Sequence, residues 1–173
     1  VLLGEPAGSL APVPRAARAH VGAGGRRLRA RLGLAAGAAL DLDPEVSVAL
    51  AATAELLHNA SLVHDDLQDG DETRRGARSV WAAYGADVAI CTGDMLLSAG
   101  YAAATPVVAA AGPGALERVH SAVAETIHGQ TADRRAADAP LADFAGYRRM
   151  ARAKSGPLIA LPLELAVDAA GRP

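Results

Sequence analysis

Apolar residues recur at helical spacing along most of this chain, in segments separated by glycine, proline and acidic residues. The clearest predicted helix begins at Asp43-Pro44, where an N-cap residue precedes a proline suited to the first turn, and it ends at Gly70. The same pattern predicts further helices over residues 14–22, from the arginine-rich segment to about Leu40, and over 80–84, 86–104, 115–137, 141–154 and 158–170. Residues 70–79 are predicted to form a loop. We therefore expect an all-helical protein.

Composition agrees with this pattern. Hydrophobic residues make up 51% of the 173 positions and aromatic residues only 3%; alanine is abundant, which favours helix over sheet. The length fits one domain, residues 1–173. A net charge of −2 gives no general attraction to nucleic acid or to an anionic membrane, so anion binding has to come from local basic clusters. The single cysteine excludes an internal disulfide and is compatible with the cytoplasm.

Two segments bear on whether the chain meets a membrane. The first ten residues include Glu5 and Pro6 and lack a basic leader, so they do not match a secretory signal. The uncharged run 95–116 is long enough to cross a bilayer, but it is mostly alanine and is interrupted by Pro106 and by the glycine-proline-glycine turn at 112–114. We therefore expect no membrane span, a cytoplasmic location, and a buried or subunit-facing helix in this run.

The stretch richest in candidate chemistry is His58 to Gly76, which reads HNASLVHDDLQDGDETRRG. Carboxylates in the last turns of a helix are disfavoured by the helix dipole, by a few tenths to ~1 kcal/mol each, so a positive group should compensate them. At ~100° per residue, His58, Asp65 and Asp69 share one stripe about 16 Å long, and Asp66 flanks it. Such a stripe could hold hard cations against a polyanion.

A second cluster follows Gly24-Gly25, where the sequence reads RRLRARL. Arg26 and Arg29 are three residues apart and are expected side by side on a helix. Guanidinium groups suit phosphate oxygens, and the glycines would let backbone N–H groups approach an anion at the helix N-terminus. The alternative is a solvated basic face, which is what charge runs usually form.

Six short motifs together carry a family resemblance. They are GGRRLR at 24–29, HNASLVHDDLQD at 58–69, RRG at 74–76, GD at 93–94, GQ at 129–130 and KS at 154–155. They occur in the order found in the trans-prenyl diphosphate synthases, also called polyprenyl synthetases, and the chain resembles that family over nearly its whole length. DDxxD alone is weak evidence, and the surrounding motifs make it specific. The resemblance implies a helical bundle of the isoprenoid synthase type and a homodimer.

The resemblance also implies site residues. Asp65 and Asp69, supported by Asp66, would hold Mg²⁺ against the diphosphate of an allylic substrate, since Mg²⁺ is often shared between a few carboxylates and phosphates. Arg74 and Lys154 would contact the same diphosphate. The other implied substrate-binding residues are Arg26, Arg29, His58 and Arg75, at an isopentenyl diphosphate site, and Gln130.

The implied reaction joins isopentenyl diphosphate to the allylic substrate through an allylic carbocation. Metals and arginines would stabilise the leaving diphosphate, and an apolar cavity would keep water away. Ala60 and Ser61 lie about one turn before Asp65, where the family uses aromatic residues to stop at short products. Both residues are small, so we expect geranylgeranyl or longer products, and Ala60→Tyr should shorten them.

Some positions depart from the family pattern. Arg26 replaces the usual lysine, Ala30 a proline and Ser155 a threonine, and each change is mild. The family's second aspartate-rich motif does not occur in these 173 residues. The expected bundle is therefore incomplete on its C-terminal side, and we expect this chain alone not to turn over at a rate typical of the family.

Three other functions stay open at this point. A non-catalytic diphosphate-binding or regulatory subunit, or an inactive fragment of a synthase, would also lack the second motif. A class I terpene cyclase fits less well, because GGRRLR and His58 imply a second diphosphate site. The intact metal-binding and phosphate-binding residues favour the prenyltransferase.

Overall fold

The computed structural model describes residues 12–138 and 143–171, with all side chains in these ranges except those of residues 137 and 138. These residues form eight helices and one short hairpin, so the all-helical prediction is confirmed. The helices are α1 (Pro12–Gly22), α2 (Leu28–Ala39), α3 (Pro44–Asp69), α4 (Val80–Tyr84), α5 (Ala86–Ala103), α6 (Thr105–Ala111), α7 (Gly114–Asp138) and α8 (Phe144–Ala169). The strands are β1 (Thr73–Arg74) and β2 (Ala77–Arg78).

Helix α3 is the central element, and it packs against α2, α5, α6 and α8. Its predicted boundaries are confirmed. The carboxylate of Asp43 accepts a hydrogen bond from the N–H of Glu45 at 2.7 Å, and Pro44 follows in the first turn. Gly70 ends the helix in the left-handed conformation, with φ of 74°. These are local signals, so the sequence alone was sufficient to predict them.

Two apolar clusters surround α3 and together make up the core. The first joins α3 to α6, α7 and α8 through residues such as Leu50, Leu57, Val107, Val119, Leu161 and Leu165. The second joins the later part of α3 to α1, α4 and α5 through Ala16, Ala17, Ala60, Val63, Val80, Ala89 and Leu96. The chemistry-bearing end of α3 is therefore held from two sides.

The predicted loop at 70–79 contains a two-stranded antiparallel hairpin. Thr73 pairs with Arg78 and Arg74 pairs with Ala77, which leaves Arg75 and Gly76 as the two turn residues. Both have positive φ, 55° and 79°, as a two-residue turn compatible with the strand twist requires. The hairpin fixes the arginine pair relative to α3.

The predicted break near residue 155 is absent. One helix, α8, runs through Pro157 and Pro162. An interior proline removes a backbone hydrogen bond and usually breaks a helix, but here Leu158 and Leu161, which lie between the two prolines, are buried in the first cluster. Tertiary packing therefore maintains the helix. The helix begins after Asp143; the predicted start at residue 141 and the first eleven residues lie outside the described residues.

Two helical segments are long and apolar enough to cross a membrane by length and composition alone. In Pro44–Asp69, 61% of the most apolar window is buried inside the molecule, as expected of a core helix. In Ala86–Ala111 the buried share is 33%. This second segment is divided into α5 and α6 near Ala104, and Ile90 on α5 is exposed. Its expected subunit-facing role stays a prediction.

Candidate active site

A cavity of ≈ 480 Å³ opens between α3, α7 and α8, with one wall residue from α2. It brings together six of the residues predicted from the sequence, namely Arg29, His58, Ser61, Asp65, Gln130 and Lys154. These residues come from four helices and are up to 125 positions apart in the chain. The other predicted site residues lie outside its lining; they are Arg26, Ala60, Asp66, Asp69, Arg74 and Arg75.

Asp65 is the acid of the stripe that faces the cavity. Burial raises the pKa of its carboxyl group to about 6. The nearby ammonium of Lys154 opposes this rise, and the neighbouring carboxylate of Asp69 adds to it. Ionising Asp65 in the free protein therefore costs free energy, and a cation in the cavity would stabilise the ionised form.

Asp69 lies one turn further along α3, outside the cavity lining, and it contacts Arg134, which belongs to that lining. Its Oδ1 accepts a hydrogen bond from Nη1 of Arg134 at 2.8 Å, and the same Nη1 donates to the backbone carbonyl of Gln68 at 2.6 Å. Gln130 donates from Nε2 to Oε1 of Gln68 at 3.2 Å. These contacts connect the C-terminal end of α3 to α7.

Asp66 points away from the cavity and is only 1% exposed. Its Oδ1 accepts hydrogen bonds from both Nε of Arg74, at 2.7 Å, and Nη2 of the same side chain. Arg74 also donates to Asp71 at 3.2 Å. Burial raises the pKa of Asp66 and Arg74 opposes this rise, so the buried acid anchors the hairpin. Its Oδ2 is buried without a hydrogen-bond partner among the described residues, and its metal role stays a prediction.

Lys154 reaches the cavity from α8, and its ammonium donates to Oδ2 of Asp133 on α7. The two helices come closest at Gly129, where a Cβ atom would overlap the backbone of Ala153 and Lys154. A glycine at this position therefore permits the approach that places Gln130 and Lys154 in one cavity.

Arg29 and His58 form the wall of the cavity nearest α2. Burial and the charges of Arg29 and Arg75 lower the pKa of His58 to about 3, so its imidazole is neutral. Burial lowers the pKa of Arg29, and Glu55 opposes this effect. The Nε atom of Arg29 is buried with no hydrogen-bond partner among the described residues. An anion bound here would gain a donor that the protein itself leaves unused.

Arg26 is not placed as predicted. We expected Arg26 and Arg29 side by side on one helix, but α2 begins only at Leu28 and Arg26 is exposed in the preceding loop. The physical reason is the backbone of this loop: Gly24, Gly25 and Arg27 all have positive φ, which a right-handed helix does not permit.

Arg75 lies against the same loop. Its Nη1 donates to the backbone carbonyl of Gly24. A Cβ atom at Gly25 would lie 2.9 Å from Cζ of Arg75, so this glycine makes room for the guanidinium. Arg75 therefore connects the glycine loop to the hairpin.

A smaller cavity of ≈ 150 Å³ lies between α1, the hairpin and α4. Its lining includes His20, Arg74, Arg75 and Arg78. Burial and the neighbouring arginines, Arg75 first, lower the pKa of His20 to about 4. Sequence reasoning did not single out His20, because it lies in α1, outside both charged clusters.

The two residues predicted to control product length have different surroundings. Ser61 lines the large cavity and donates from Oγ to the carbonyl of His58 at 2.8 Å. Ala60 is 3% exposed and belongs to the second apolar cluster. Only Ser61 therefore meets a ligand in this cavity directly.

Sequence reasoning also missed Arg134 and gave little weight to Asp133. The available signal was the spacing of polar residues on α7, where Thr126, Gln130 and Arg134 recur every four residues and all line the cavity. On a helix this spacing places them on one face.

The carboxylates of Asp65 and Asp69 fit a metal ion that is shared with substrate phosphates better than one held by the protein alone. Among the described residues, no group of three or more His, Cys, Asp or Glu side chains is placed to hold a metal ion. Asp65 and Asp69 are about 6 Å apart along the helix axis and offer hard oxygen ligands. Mg²⁺ suits such a pair, because it keeps several waters and takes its remaining ligands from substrate phosphates.

Comparison with known proteins finds relatives that cover most of this chain. The (2E,6E)-farnesyl diphosphate synthase of Mycobacterium tuberculosis is 34% identical over 149 residues, which cover 86% of this chain and 42% of that protein. The geranylgeranyl pyrophosphate synthase of Geoglobus acetivorans is 36% identical over 153 residues, covering 85% and 47%. The chain therefore spans about half the length of these relatives.

Solved structures have the same fold. The geranylgeranyl pyrophosphate synthetase from Geoglobus acetivorans superposes with a TM-score of 0.90 at 29% identity, covering 99% of this chain and 56% of that one. The polyprenyl synthase from Caulobacter crescentus, solved with calcium and isoprenyl diphosphate, gives 0.87 at 27% identity, covering 96% and 50%. The fold is thus about half of the all-helical isoprenoid synthase fold. The polyprenyl synthetase family model matches residues 12–173, and the chain belongs to this family.

Proposed function

We propose that the protein carrying this chain is a cytoplasmic prenyltransferase that condenses isopentenyl diphosphate with an allylic diphosphate. The observation that carries the proposal is the large cavity, where the carboxylate of Asp65 and the cationic groups of Arg29 and Lys154 line one space. Such an arrangement suits two diphosphates and a metal ion. The names of the relatives support the same reaction.

In this proposal Asp65 and Asp69 hold Mg²⁺. Asp66 supports them, and its Oδ2 atom has no hydrogen-bond partner among the described residues. When bound, Mg²⁺ neutralises charge on the diphosphate and makes it a better leaving group. Lys154 binds the same diphosphate after exchanging its contact with Asp133. Arg74, which the buried Asp66 carboxylate holds beside the end of α3, contributes positive charge to the same region.

Arg29, Arg26, Arg75 and neutral His58 bind the second diphosphate. Gln130 orients the end of α3 through its hydrogen bond to Gln68. The apolar lining residues Leu62, Ile127 and Leu158 exclude water from the reacting carbons. Water exclusion strengthens these electrostatic contacts and protects a carbocation from quenching.

Calorimetry tests the metal and diphosphate site directly. We expect a non-hydrolysable allylic diphosphate analogue to bind this chain in the presence of Mg²⁺, and an Asp65→Ala, Asp69→Ala variant to lose most of that heat. A Glu72→Ala, Asp87→Ala variant is the matched control, because it removes two exposed acids outside the cavity. Equal heats for the two variants would contradict the proposed site.

We further propose a product of geranylgeranyl length or longer, because Ser61 leaves the cavity wall small next to Asp65. The named relatives include both farnesyl and geranylgeranyl synthases, so similarity to them does not decide the length of the product. In the full-length protein, Ser61→Tyr should shorten the product as chromatography measures it. A wild-type product no longer than farnesyl would contradict this proposal.

We also propose a homodimer. Helix α5 supports it, since Ile90 is exposed on a segment that is only 33% buried within the chain. Light scattering of the full-length protein should give twice the monomer mass, and Ile90→Glu should reduce that mass. A monomeric mass for the unchanged protein would contradict this assembly.

A further inference from the structure

The guanidinium of Arg134 forms an ion pair with Asp69, a proposed metal ligand. It projects from α7 into the mouth of the large cavity, and Nη1 bonds to Oδ1 of Asp69 at 2.8 Å and to the carbonyl of Gln68 at 2.6 Å. The carbonyl lies at the C-terminal end of α3, where the helix dipole favours a positive charge. The Asp69 carboxylate and the Gln68 carbonyl thus hold one guanidinium at the C-terminal end of α3.

The contact gives one carboxylate two competing partners. If Asp69 binds Mg²⁺, the guanidinium has to share or leave Oδ1. The Arg134 side chain is 49% exposed and the Asp69 side chain 38% exposed. Exposed ion pairs are weak, so exchange of this contact is energetically accessible.

We propose that Arg134 occupies Asp69 in the free protein and transfers to the diphosphate when the metal ion binds. This inference rests on the proposed function, since it assumes that Asp69 is a metal ligand. It assigns Arg134 two roles: it competes with a metal ion that arrives alone, and it binds the substrate diphosphate.

The chemistry of the side chain supports the transfer. A guanidinium presents a planar fork of donors that matches two phosphate oxygens, and such charge-assisted pairs are stronger than neutral hydrogen bonds. Arg134 and Lys154 line the same cavity, so a diphosphate held there would be contacted from both α7 and α8. Once the metal ion releases Arg134 from Asp69, the guanidinium fork is therefore free to bind the diphosphate in this cavity.

Removing Arg134 should change metal binding and diphosphate binding in opposite directions. Metal binding without diphosphate should become tighter, because Asp69 no longer has a competing cation. Diphosphate binding in the presence of metal should become weaker, because one donor fork is lost. Arg134 thus contributes to the coupling between metal and diphosphate, and coupling of this kind is reciprocal.

Arg134→Gln compared with Arg135→Gln tests this inference in the unchanged 173-residue background. Both variants remove one arginine from the same turn of α7, and Arg135 is outside the cavity lining. Electron paramagnetic resonance measures Mn²⁺ binding, and calorimetry measures binding of inorganic diphosphate with Mg²⁺ present. Relative to Arg135→Gln, Arg134→Gln should lower the Mn²⁺ Kd about two- to fivefold and raise the diphosphate Kd about tenfold.

A third variant assigns the effect to Asp69. In an Asp69→Ala background, Arg134→Gln should no longer tighten Mn²⁺ binding, because the competition has been removed. Identical Mn²⁺ and diphosphate constants for Arg134→Gln and Arg135→Gln would overturn the inference. A change in only one of the two constants, or weaker Mn²⁺ binding, would overturn it as well.

The two hypotheses fail in distinguishable ways. If the Asp65→Ala, Asp69→Ala variant loses metal-dependent diphosphate binding while Arg134→Gln matches its control, only the role of Arg134 is wrong. If that double variant binds like the unchanged chain, or the unchanged chain does not bind, the proposed function fails and this inference with it.

Discussion

The large and the small cavity both contain buried titratable groups and basic side chains, but those side chains have different partners. In the large cavity, Lys154 and Arg134 are paired with the carboxylates of Asp133 and Asp69. Around the small cavity, Arg75 and Arg78 donate to the backbone carbonyls of Gly24 and Ala82, and Arg74 pairs with the carboxylates of Asp66 and Asp71. A carboxylate can exchange an arginine for a metal ion, whereas a carbonyl contact fixes a loop. In the free protein, Lys154 and Arg134 therefore have partners that a ligand can replace, whereas the contacts of Arg75 and Arg78 hold the backbone in place.

Arg74 and Asp66 join the two regions. Arg74 belongs to the lining of the small cavity, while Asp66 lies next to Asp65 on α3. This pair holds the hairpin against the end of the helix that carries the proposed metal ligands. If the comparison is right, variants at the hairpin should act on stability as well as on binding, whereas variants in the large cavity should act mainly on binding.

Gly129→Ala should have the largest effect on stability. The added methyl group would overlap the backbone of α8, so α7 and α8 would have to separate. Overpacking of this kind typically costs about 1–3 kcal/mol, and contact with backbone places this site at the upper end. Urea denaturation measures the loss. Gly114→Ala at the start of α7 is the control, since nothing lies within 4 Å of the added Cβ atom, and a clear loss in that variant would contradict the explanation.

Removing Arg74 should be the next most costly change. Arg74→Gln leaves the fully buried Asp66 carboxylate without its cation, which we expect to cost about 2–3 kcal/mol because Arg74 is partly exposed. Asp66→Asn should cost less, since the arginine can then reach solvent. The penalty in Arg74→Gln should shrink as the pH falls, because burial already raises the pKa of Asp66 and protonation removes the buried charge. A pH-independent penalty would exclude this cause.

The sequence was informative where local chemistry decides structure. Asp43, Pro44 and Gly70 act through capping and backbone preference, so both ends of α3 could be predicted. Six residues of the large cavity were implied by the family resemblance of their motifs, whereas Arg134, which belongs to none of these motifs, was missed.

Other features depend on contacts that no local pattern contains. Arg27 adopts a positive φ without being glycine, and this keeps Arg26 off the helix. The proline at 157 is tolerated only because the neighbouring Leu158 is buried. The pair formed by Arg134 and Asp69 joins residues 65 positions apart, so its existence depends on how α3 and α7 pack.

The small cavity should make the protein sensitive to acid through His20. Its pKa is lowered to about 4 in the folded state, so below the unfolded value of 6.5 only the unfolded chain gains the proton. Stability should therefore fall as the pH drops from 6.5 towards 4, by about 1 kcal/mol at pH 5.5 from this group. His20→Gln should lose less stability over that range than the unchanged protein. The exposed His120→Gln variant is the control, and equal pH profiles for the two variants would contradict this role.

In the large cavity, Asp65 should give the free energy of unfolding the opposite pH dependence, and this is the smallest effect that we expect. Its pKa is raised to about 6 from 3.8, so the folded state gains the proton first as the pH falls. Asp65 thus destabilises the free protein above pH 6, and this cost disappears as the pH falls through 6 towards 4. The full shift would correspond to ~3 kcal/mol, but Asp65 is only partly buried and solvent screens its charge. Asp65→Asn should therefore raise the free energy of unfolding at pH 7.5 by about 0.5–1 kcal/mol, with little change at pH 4, while metal-dependent diphosphate binding is lost. Urea denaturation at the two pH values measures the first effect and calorimetry the second. A variant that is less stable at pH 7.5 would show that Asp65 serves the fold, and the contrast between the two cavities would then fail at its central residue.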